Sequence, residues 1–186
     1  MKPHLTIVVE DKKKLVFDKP GKYVVYFENI TTDIACQITV PDVSLYLFGL
    51  YTMKKKETFR LTTSQIHSAP HSFSQLTVVS VADGTSSLAF SGLIHIEKQA
   101  QQSHAYQKNQ NLIISPQAFV DTRPMLEIEA NDVFCTHGST TGSYNEEQIR
   151  YMMMRGLSRH EAEYIYREGF KEQLYLQMEA LGVKRP

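Results

Sequence analysis

A cysteine and a histidine stand two residues apart in the segment EANDVFCTHGSTTGSYNEE, which spans residues 129–147. On a β-strand, Cys135 and His137 would point to the same face, with their Cα atoms about 7 Å apart. Thiolate and imidazole groups are ligands that iron–sulfur clusters and zinc accept. One strand supplies only two ligands, so a metal or cluster site here needs further ligands from elsewhere. The residues alone leave open a second interpretation, in which Cys135 is a buried apolar side chain and His137 caps a turn.

Two other pairs of residues and one further cysteine carry side chains that could take part in chemistry. His67 and His71 flank a proline, and a turn there would either bring the two imidazoles together as metal ligands or leave both solvated. Glu127 and Glu129 would share one face of a strand, as ligands or as surface charges. Cys36 lies alone in an apolar stretch, which predicts a core position.

Several classes of function are not expected from the sequence. The chain contains no GxxxxGK[ST], GxSxG or HExxH motif, so no ATP hydrolysis or common hydrolase chemistry is predicted. The formal net charge is zero, which gives no overall attraction to nucleic acid or to an anionic membrane. No apolar run approaches the roughly 20 residues that span a bilayer. Two distant cysteines and no visible signal peptide predict a cytoplasmic protein with reduced thiols.

The elements that would position these residues are mostly strands. Runs rich in β-branched and aromatic residues recur about every ten residues between residues 5 and 137, and Asp83–Gly84 marks a turn. This spacing is compatible with a sandwich, a barrel or a β-solenoid. A solenoid is favoured because polar residues fall where the corners of short rungs would lie. The predicted corner residues are Asn109, Asn111, Asp121, Asn131 and Asp132.

The pattern becomes helical near residue 143. Ser143 and Ser158 are each followed three residues later by a glutamate, which predicts two capping boxes. The first helix is expected to end at Gly156, and apolar spacing predicts two more helices over residues 159–170 and 171–182. The predicted organisation is therefore a β-rich body over residues 1–142 and a helical segment over residues 143–186.

Several segments around this junction together resemble the SufB/SufD family of iron–sulfur cluster assembly scaffold proteins. The resemblance extends from about residue 64 to residue 181. It implies a mainly β fold, a right-handed parallel β-helix (a solenoid) with a small C-terminal α-helical segment, which agrees with the body and tail predicted above. The segments that carry it are SAPHSFSQL (68–76), FSGLIHIEKQAQQSHAYQ (90–107), SHAYQKNQNLIIS (103–115), DTRPMLEIEANDVFCTHGSTTG (121–142) and YMMMRGLSRHEAEYIYREGF (151–170).

The resemblance also implies a function. Such a scaffold has no turnover of its own and holds iron or an iron–sulfur cluster transiently, at an interface with a second SufB/SufD-like subunit or with a second copy of this chain. His137 matches a histidine of the family, and Cys135 is its candidate co-ligand. The C-terminal helices are expected to dock the ABC-type ATPase SufC. Met152 stands where SufB has a cysteine, which makes the chain more similar to SufD, and the region before the match is shorter than in most members.

Two functions of other classes stay open at this point. One is a metal-free structural adaptor for an ABC-type ATPase. The other is a polysaccharide-acting β-helix enzyme, which needs a cluster of acidic side chains on one solenoid face. Only Glu127 and Glu129 offer such a pair in the predicted body.

Overall fold

The computed structural model of the chain describes residues 5–8 and 13–185, with side chains from Lys13 onward. Parts of the predicted body and tail that fall on residues 1–4, 9–12 and 186 lie outside the described residues. The strands are β1 (Leu5–Val8), β2 (Lys13–Phe17), β3 (Gly21–Glu28), β4 (Thr32–Ile38), β5 (Val43–Met53), β6 (Thr58–His67), β7 (Phe73–Ala82), β8 (Ser87–Ile96), β9 (His104–Ile113), β10 (Phe119–Ile128) and β11 (Phe134–Gly142). The helices are α1 (Glu146–Met154) and α2 (Arg159–Ala180).

Successive strands alternate between two parallel sheets. The odd-numbered strands form a six-stranded sheet in the order β1-β3-β5-β7-β9-β11, and the even-numbered strands form a five-stranded sheet in the order β10-β8-β6-β4-β2. Phe73 pairs with His104, 31 residues later, and Thr58 pairs with Ser87, 29 residues later, so one coil takes about 30 residues. The parallel β-helix implied by the resemblance is confirmed.

The space between the two sheets is filled by side chains from alternate positions of the strands. Period-two alternation sends every second residue inward. In the coils from β2 to β8 most of these residues are apolar, and burying each large one contributes roughly 2 kcal/mol. Buried polar side chains also occur there, at Thr63, Gln65, His67 and Ser74. Cys36 is fully buried among the apolar residues, so its predicted core position is confirmed. The apolar side chains that are most completely buried there are Val25, Phe27, Ile34, Cys36, Leu45, Leu47, Tyr51, Met53, Leu61, Leu76, Val78 and Ala82.

The corners between the sheets stack on one another like the strands. Asp42, His71 and Gln102 occupy equivalent corners and all have positive φ, at 59°, 54° and 57°. The backbone N–H of Asp42 donates to the carbonyl of His71 at 3.2 Å, which ties one corner to the next. The predicted corner residues are only partly correct. Asn131 and Asp132 lie at a corner, whereas Asn109 and Asn111 lie within β9 and Asp121 lies within β10.

The helix α2 covers part of the outer face of the six-stranded sheet. Its Leu174 and Met178 are buried, and they form one apolar cluster with Phe48, Leu50 and Val79 of the sheet. This packing explains why the two helices predicted over residues 159–182 are one continuous helix. Their shared apolar face continues across the predicted break, and nothing in the sequence there stops the helix.

Of the two predicted helix caps, the one for α1 is wrong and the one for α2 is confirmed. The Asn145 side chain caps α1 by accepting hydrogen bonds from the backbone N–H groups of Glu147 and Gln148. The predicted cap, Ser143, therefore lies outside the helix. The capping box of Ser158 and Glu161 at the start of α2 is confirmed. No helix among the described residues is long and apolar enough to cross a membrane.

Candidate functional site

The last coil of the β-helix is open. β10 and β11 are the terminal strands of their sheets, and each pairs with a neighbour on one side only. Each strand therefore presents one free edge with unpaired backbone groups. Between them, the inward-facing side chain of Leu126 is 36% exposed, although its register partner Ile94 is fully buried. The interior of the coil is thus accessible at this end.

Cys135 and His137 lie on the inner face of this open coil. Their register partners on β9 are Ala105 and Gln107, which are both buried and face inward. The prediction that the two side chains share one strand face is confirmed. Cys135 is half-buried beside an apolar cluster that includes Ala105, and this burial raises the pKa of its thiol. His137 is exposed.

A layer of amide side chains lies directly beneath this face. Asn111 donates from Nδ2 to Asn109 Oδ1 at 2.5 Å and to Thr141 Oγ1 at 3.1 Å, and it accepts a hydrogen bond from Ser80 Oγ at 2.6 Å. This ladder crosses three coils and ends on β11. The hydroxyl oxygens of Ser139 and of Thr122 on β10 lie 3.0 Å apart, which links the two terminal strands across the interior.

Two atoms of the amide layer are buried without a partner. Gln107 Oε1 and Asn109 Nδ2 have no hydrogen bond to any described residue. They lie at the register positions of His137 and Ser139 on the next strand. The Gln107 side chain lies where a Cβ of residue 92 would stand, so any larger residue than Gly92 would displace the Gln107 amide. One acceptor and one donor are therefore available just beneath the candidate ligands.

The site is chemically incomplete among the residues that the structure describes. No group of three or more His, Cys, Asp or Glu side chains in the described part of the chain is arranged to hold a metal ion. Cys135 and His137 together offer one sulfur and one nitrogen ligand from one edge strand. A four-coordinate metal or a cluster bound here would need further ligands from outside these described side chains.

The other pairs singled out by sequence do not join this site. His67 is buried in the interior, with Nδ1 2.6 Å from Ser72 Oγ and Nε2 2.7 Å from Ser74 Oγ, and desolvation lowers its pKa to about 4. His71 is exposed at a corner, so the turn directs the two imidazoles into different environments.

The acidic pair lies on the outer face of the five-stranded sheet. Glu129 Oε1 lies 3.1 Å from Nε2 of His95, and Glu127 is the register partner of His95. Both carboxylates therefore point away from the inner face that carries Cys135. This position fits the surface-charge interpretation of the pair.

A row of neighbouring aromatic rings, tilted by 41–44° to one another, lies on the outer face of the six-stranded sheet and was missed by sequence reasoning. The ring centroids of Tyr46 and Phe73 are 5.3 Å apart, those of Phe73 and Tyr106 are 5.8 Å apart, and those of Tyr106 and Phe134 are 6.2 Å apart. The row crosses four strands and ends at Phe134, which is 55% exposed on β11. Its signal in the sequence is one aromatic residue in each coil.

A groove separates α1 from α2. It has a volume of about 590 Å³, and Met152, Ile165 and Phe170 contribute to its lining. Within α1, all of whose residues are described, only Ile149 is buried, whereas Met154 is 78% exposed. Arg159 joins the helices by donating to both carboxylate oxygens of Glu146, at 2.8 and 3.1 Å. The two helices thus form an apolar surface on the outside of the β-helix.

Comparison with known proteins shows which family shares this sequence. The core domain of SufB and SufD proteins, from the SUF system of iron–sulfur cluster assembly, matches residues 25–170. The iron–sulfur cluster assembly protein SufD of Escherichia coli (strain K12) is 36% identical over 96 residues, which are 52% of this chain and 23% of that protein. SufD of Bacillus subtilis (strain 168) is 28% identical over 155 residues, 83% of this chain and 35% of that protein.

A SufBD family protein of Synechocystis is similar as well, at 31% identity over 101 residues, or 54% of this chain and 22% of that protein. The chain thus spans about a quarter to a third of the length of these relatives. The family match covers most of the β-helix, the open last coil and the start of the helical surface. The chain belongs to the SufB/SufD family of iron–sulfur cluster assembly proteins.

Proposed function

We propose that this chain is a scaffold subunit of a Suf-type assembly and has no turnover of its own. Its cargo is iron or a nascent iron–sulfur cluster, held transiently at the open last coil. The observation that carries the proposal is the free inner face of β11, where Cys135 and His137 stand side by side above an amide layer. Ligand atoms at a free strand edge suit a site that is completed by a second molecule.

The second molecule in this proposal is another β-helix subunit. The hydrogen-bonded amide ladder and the aromatic row both run through several coils and end exposed on β11. A further coil placed against this edge would pair the free backbone groups and cover Leu126 and Phe134. The partner is a second SufB/SufD-like subunit or a second copy of this chain. A two-fold pair of copies would bring together two cysteines and two histidines, which is a four-ligand set.

The two candidate ligands would act differently. Neutral imidazole binds metal directly, so exposed His137 is the first ligand to engage. Cys135 must lose its proton to become a ligand, and burial raises its pKa. Cargo binding at this site would therefore release a proton from Cys135 and strengthen as pH rises.

The helical surface has a separate role in this proposal, which is to dock the ABC-type ATPase SufC. Its support is the exposed apolar lining of the α1–α2 groove. Exposed apolar surface of this kind is typical of protein interfaces. Movement of the ATPase would be transmitted to the β-helix through α2, which is packed on the six-stranded sheet.

A metal-free adaptor is the second candidate function. It is favoured by the incomplete ligand set of the described residues and by the protonated state that burial favours for Cys135.

Anaerobic reconstitution of the assembled complex with iron and sulfide separates the two functions. We expect His137→Ala to lower cluster loading strongly and Cys135→Ala to lower it less. His71→Asn is the matched control, because it removes an exposed imidazole at a corner. Equal loading in all variants would favour the adaptor.

Docking of the ATPase is tested with two substitutions on one helix. Ile165 lines the groove and is 46% exposed, whereas Leu176 is 54% exposed on the same helix outside the groove lining. We expect Ile165→Lys to abolish co-purification with the SufC-type ATPase of the same organism, and Leu176→Lys to preserve it. An intact native chain that never binds this ATPase would contradict the docking role.

A further inference from the structure

The turn between β5 and β6 carries three consecutive lysines. Lys54, Lys55 and Lys56 are all exposed. A cleft of about 110 Å³ separates this turn from α2, and Lys54, Arg167 and Lys171 all contribute to its lining. We call Lys54, Lys55, Lys56 and Arg167 the basic flank. The chain has a formal net charge of zero, so this is a local concentration of positive charge.

The acidic side chains near the basic flank are already engaged. Glu57 accepts a hydrogen bond from the backbone N–H of Lys54 at 2.7 Å. Asp83 accepts hydrogen bonds from the backbone N–H of Gly84 at 2.7 Å and from the hydroxyl of Ser115, in the next coil, at 2.5 Å. Glu168 pairs with Lys171 at 2.9 Å. By contrast, the side chains of the basic flank form no ion pair or hydrogen bond with any residue in the described part of the chain. Glu57 and Asp83 keep their negative charges when they accept these hydrogen bonds, but the four cations of the basic flank outnumber them, so an excess of positive charge is left to act on another molecule.

The lysine turn is held in place by the next turn of the β-helix. Lys55 has a φ of 56°, and its carbonyl accepts a hydrogen bond from the backbone N–H of Thr85 at 2.6 Å. Gly84 has a φ of 69°, and a Cβ at this position would lie 2.8 Å from the Lys55 carbonyl oxygen. Only glycine allows so close an approach. The backbone that presents the lysines is therefore fixed before any partner arrives, which lowers the entropic cost of binding.

The basic flank adjoins the apolar groove of the proposed ATPase docking surface. Tyr164, Arg167 and Lys171 line the cleft on one side of α2. Ile165 and Phe170, from the same stretch of helix, line the groove between α1 and α2. A protein seated in the groove would therefore extend over the basic flank. An apolar centre beside a charged rim is the usual organisation of a protein interface.

We infer that the basic flank is the electrostatic part of the docking surface, and that the protein docking on the helices presents acidic side chains opposite it. This inference rests on the proposed ATPase-docking function and adds the charge of the partner surface. Charges at an exposed rim mainly raise the association rate and make the affinity sensitive to salt. The groove supplies the apolar contact, and the basic flank orients the approach.

The test compares two double charge reversals in the full chain. Lys54→Glu with Lys56→Glu reverses the flank, and Lys13→Glu with Lys14→Glu makes the same change on the exposed β2 strand of the other sheet. Binding of the SufC-type ATPase of the same organism is measured by titration at about 50 mM and about 500 mM salt, where screening lengths differ severalfold. We expect the flank variant to bind roughly tenfold more weakly at low salt and nearly normally at high salt. The control is expected to match the native chain.

The possible outcomes distinguish a failure of this inference from a failure of the proposed ATPase-docking function. One outcome is that the native chain binds the ATPase, that Ile165→Lys prevents binding, and that the flank reversal has no effect at either salt concentration. In that case the docking function stands and the acidic-partner inference is wrong. If the flank reversal and the β2 reversal weaken binding equally, the effect is one of overall charge and the inference also fails. If the native chain does not bind, the docking function itself is overturned. Circular dichroism of each variant excludes loss of folding as the cause.

Discussion

The interior of this β-helix changes character along its axis. In the early coils, inward positions are occupied by residues such as Leu45, Leu47 and Leu76, all fully buried. In the last coils the corresponding positions on β9 are Gln107, Asn109 and Asn111. The strands, corners and register are the same in both regions. The backbone of a parallel β-helix therefore accepts either interior, and the side chains decide whether a coil contributes stability or a binding face.

The apolar and the amide interiors contribute different amounts of free energy to folding. Removing a leucine side chain from water contributes roughly 2 kcal/mol. A buried amide pair gains little net free energy, because it exchanges hydrogen bonds to water for hydrogen bonds to protein. The early coils should hold most of the folding free energy. The last coil should be the more easily opened end, which suits the exchange of partner and cargo that we propose for it.

The largest expected effect comes from the same substitution made in both regions. Leu47→Ala leaves a cavity in the apolar interior and should lower the free energy of unfolding by about 3 kcal/mol. Leu126→Ala removes a side chain that is already partly exposed, and should cost less than about 1 kcal/mol. Urea unfolding of both variants checks this contrast. Equal losses would mean that the open coil is packed as firmly as the early coils.

The second prediction concerns pH and the buried imidazole of His67. Its pKa in the folded chain is about 4, below the ordinary 6.5, because burial disfavours the charged ring. The unfolded chain therefore binds a proton more readily between these values. The contribution of neutral His67 to stability is complete above pH 6.5 and is lost as pH falls toward 4. The loss is about 3 kcal/mol over this window.

Unfolding free energies measured from pH 7 to pH 4 test this dependence. His67→Gln should lower stability at pH 7, because the contacts with Ser72 and Ser74 change, but its stability should depend less on pH. His71→Asn, at an exposed corner, should keep the native pH dependence. If His67→Gln keeps the full pH dependence, another group is responsible for it.

The sequence predicts much of the fold because the early coils follow simple rules. Alternating apolar and polar residues at intervals of about ten residues predict strands, and the resemblance to a family converts the strands into a parallel β-helix. The helical segment is also predictable, although its break near residue 170 is not real, since Leu174 and Met178 continue the buried face of α2. The residue that caps a helix is also difficult to predict, because several neighbouring polar residues can serve. Asn145 caps α1, where Ser143 was expected.

The site is predictable only in part. The shared face of Cys135 and His137 follows from strand periodicity alone. The amide layer beneath them does not, because Asn109 and Asn111 have residue types that favour turns, and this suggested corners. Their inward positions depend on partners such as Ser80 and Thr141, which are about 30 residues distant in sequence. Contacts of this kind become visible only when the coils are stacked.

The third prediction tests whether the amide ladder holds the last coil together. Asn111 bonds to Ser80, Asn109 and Thr141, so Asn111→Ala leaves the buried Ser80 hydroxyl unpaired and leaves Asn109 Oδ1 with only its bond from Ser139. We expect a loss of about 1–2 kcal/mol in the free energy of unfolding. Amide hydrogen exchange should become faster in β11 than in β5. Uniformly faster exchange in all strands would show that the ladder stabilises the whole β-helix and not its end.

The smallest expected effect uses the two thiols as reporters of the two interiors. Cys36 is fully buried in the apolar region, and desolvation raises its pKa to about 12, so at pH 8 only about one thiol in ten thousand is ionised. Cys135 is half-buried in the open coil, and its pKa is raised as well. We expect iodoacetamide at pH 8 to modify Cys135 slowly in the folded chain and Cys36 only after unfolding. Mass spectrometry of the peptides separates the two sites. Reaction of Cys36 at the rate of Cys135 under native conditions would mean that the early coils open as readily as the last one, and the contrast between the regions would be lost.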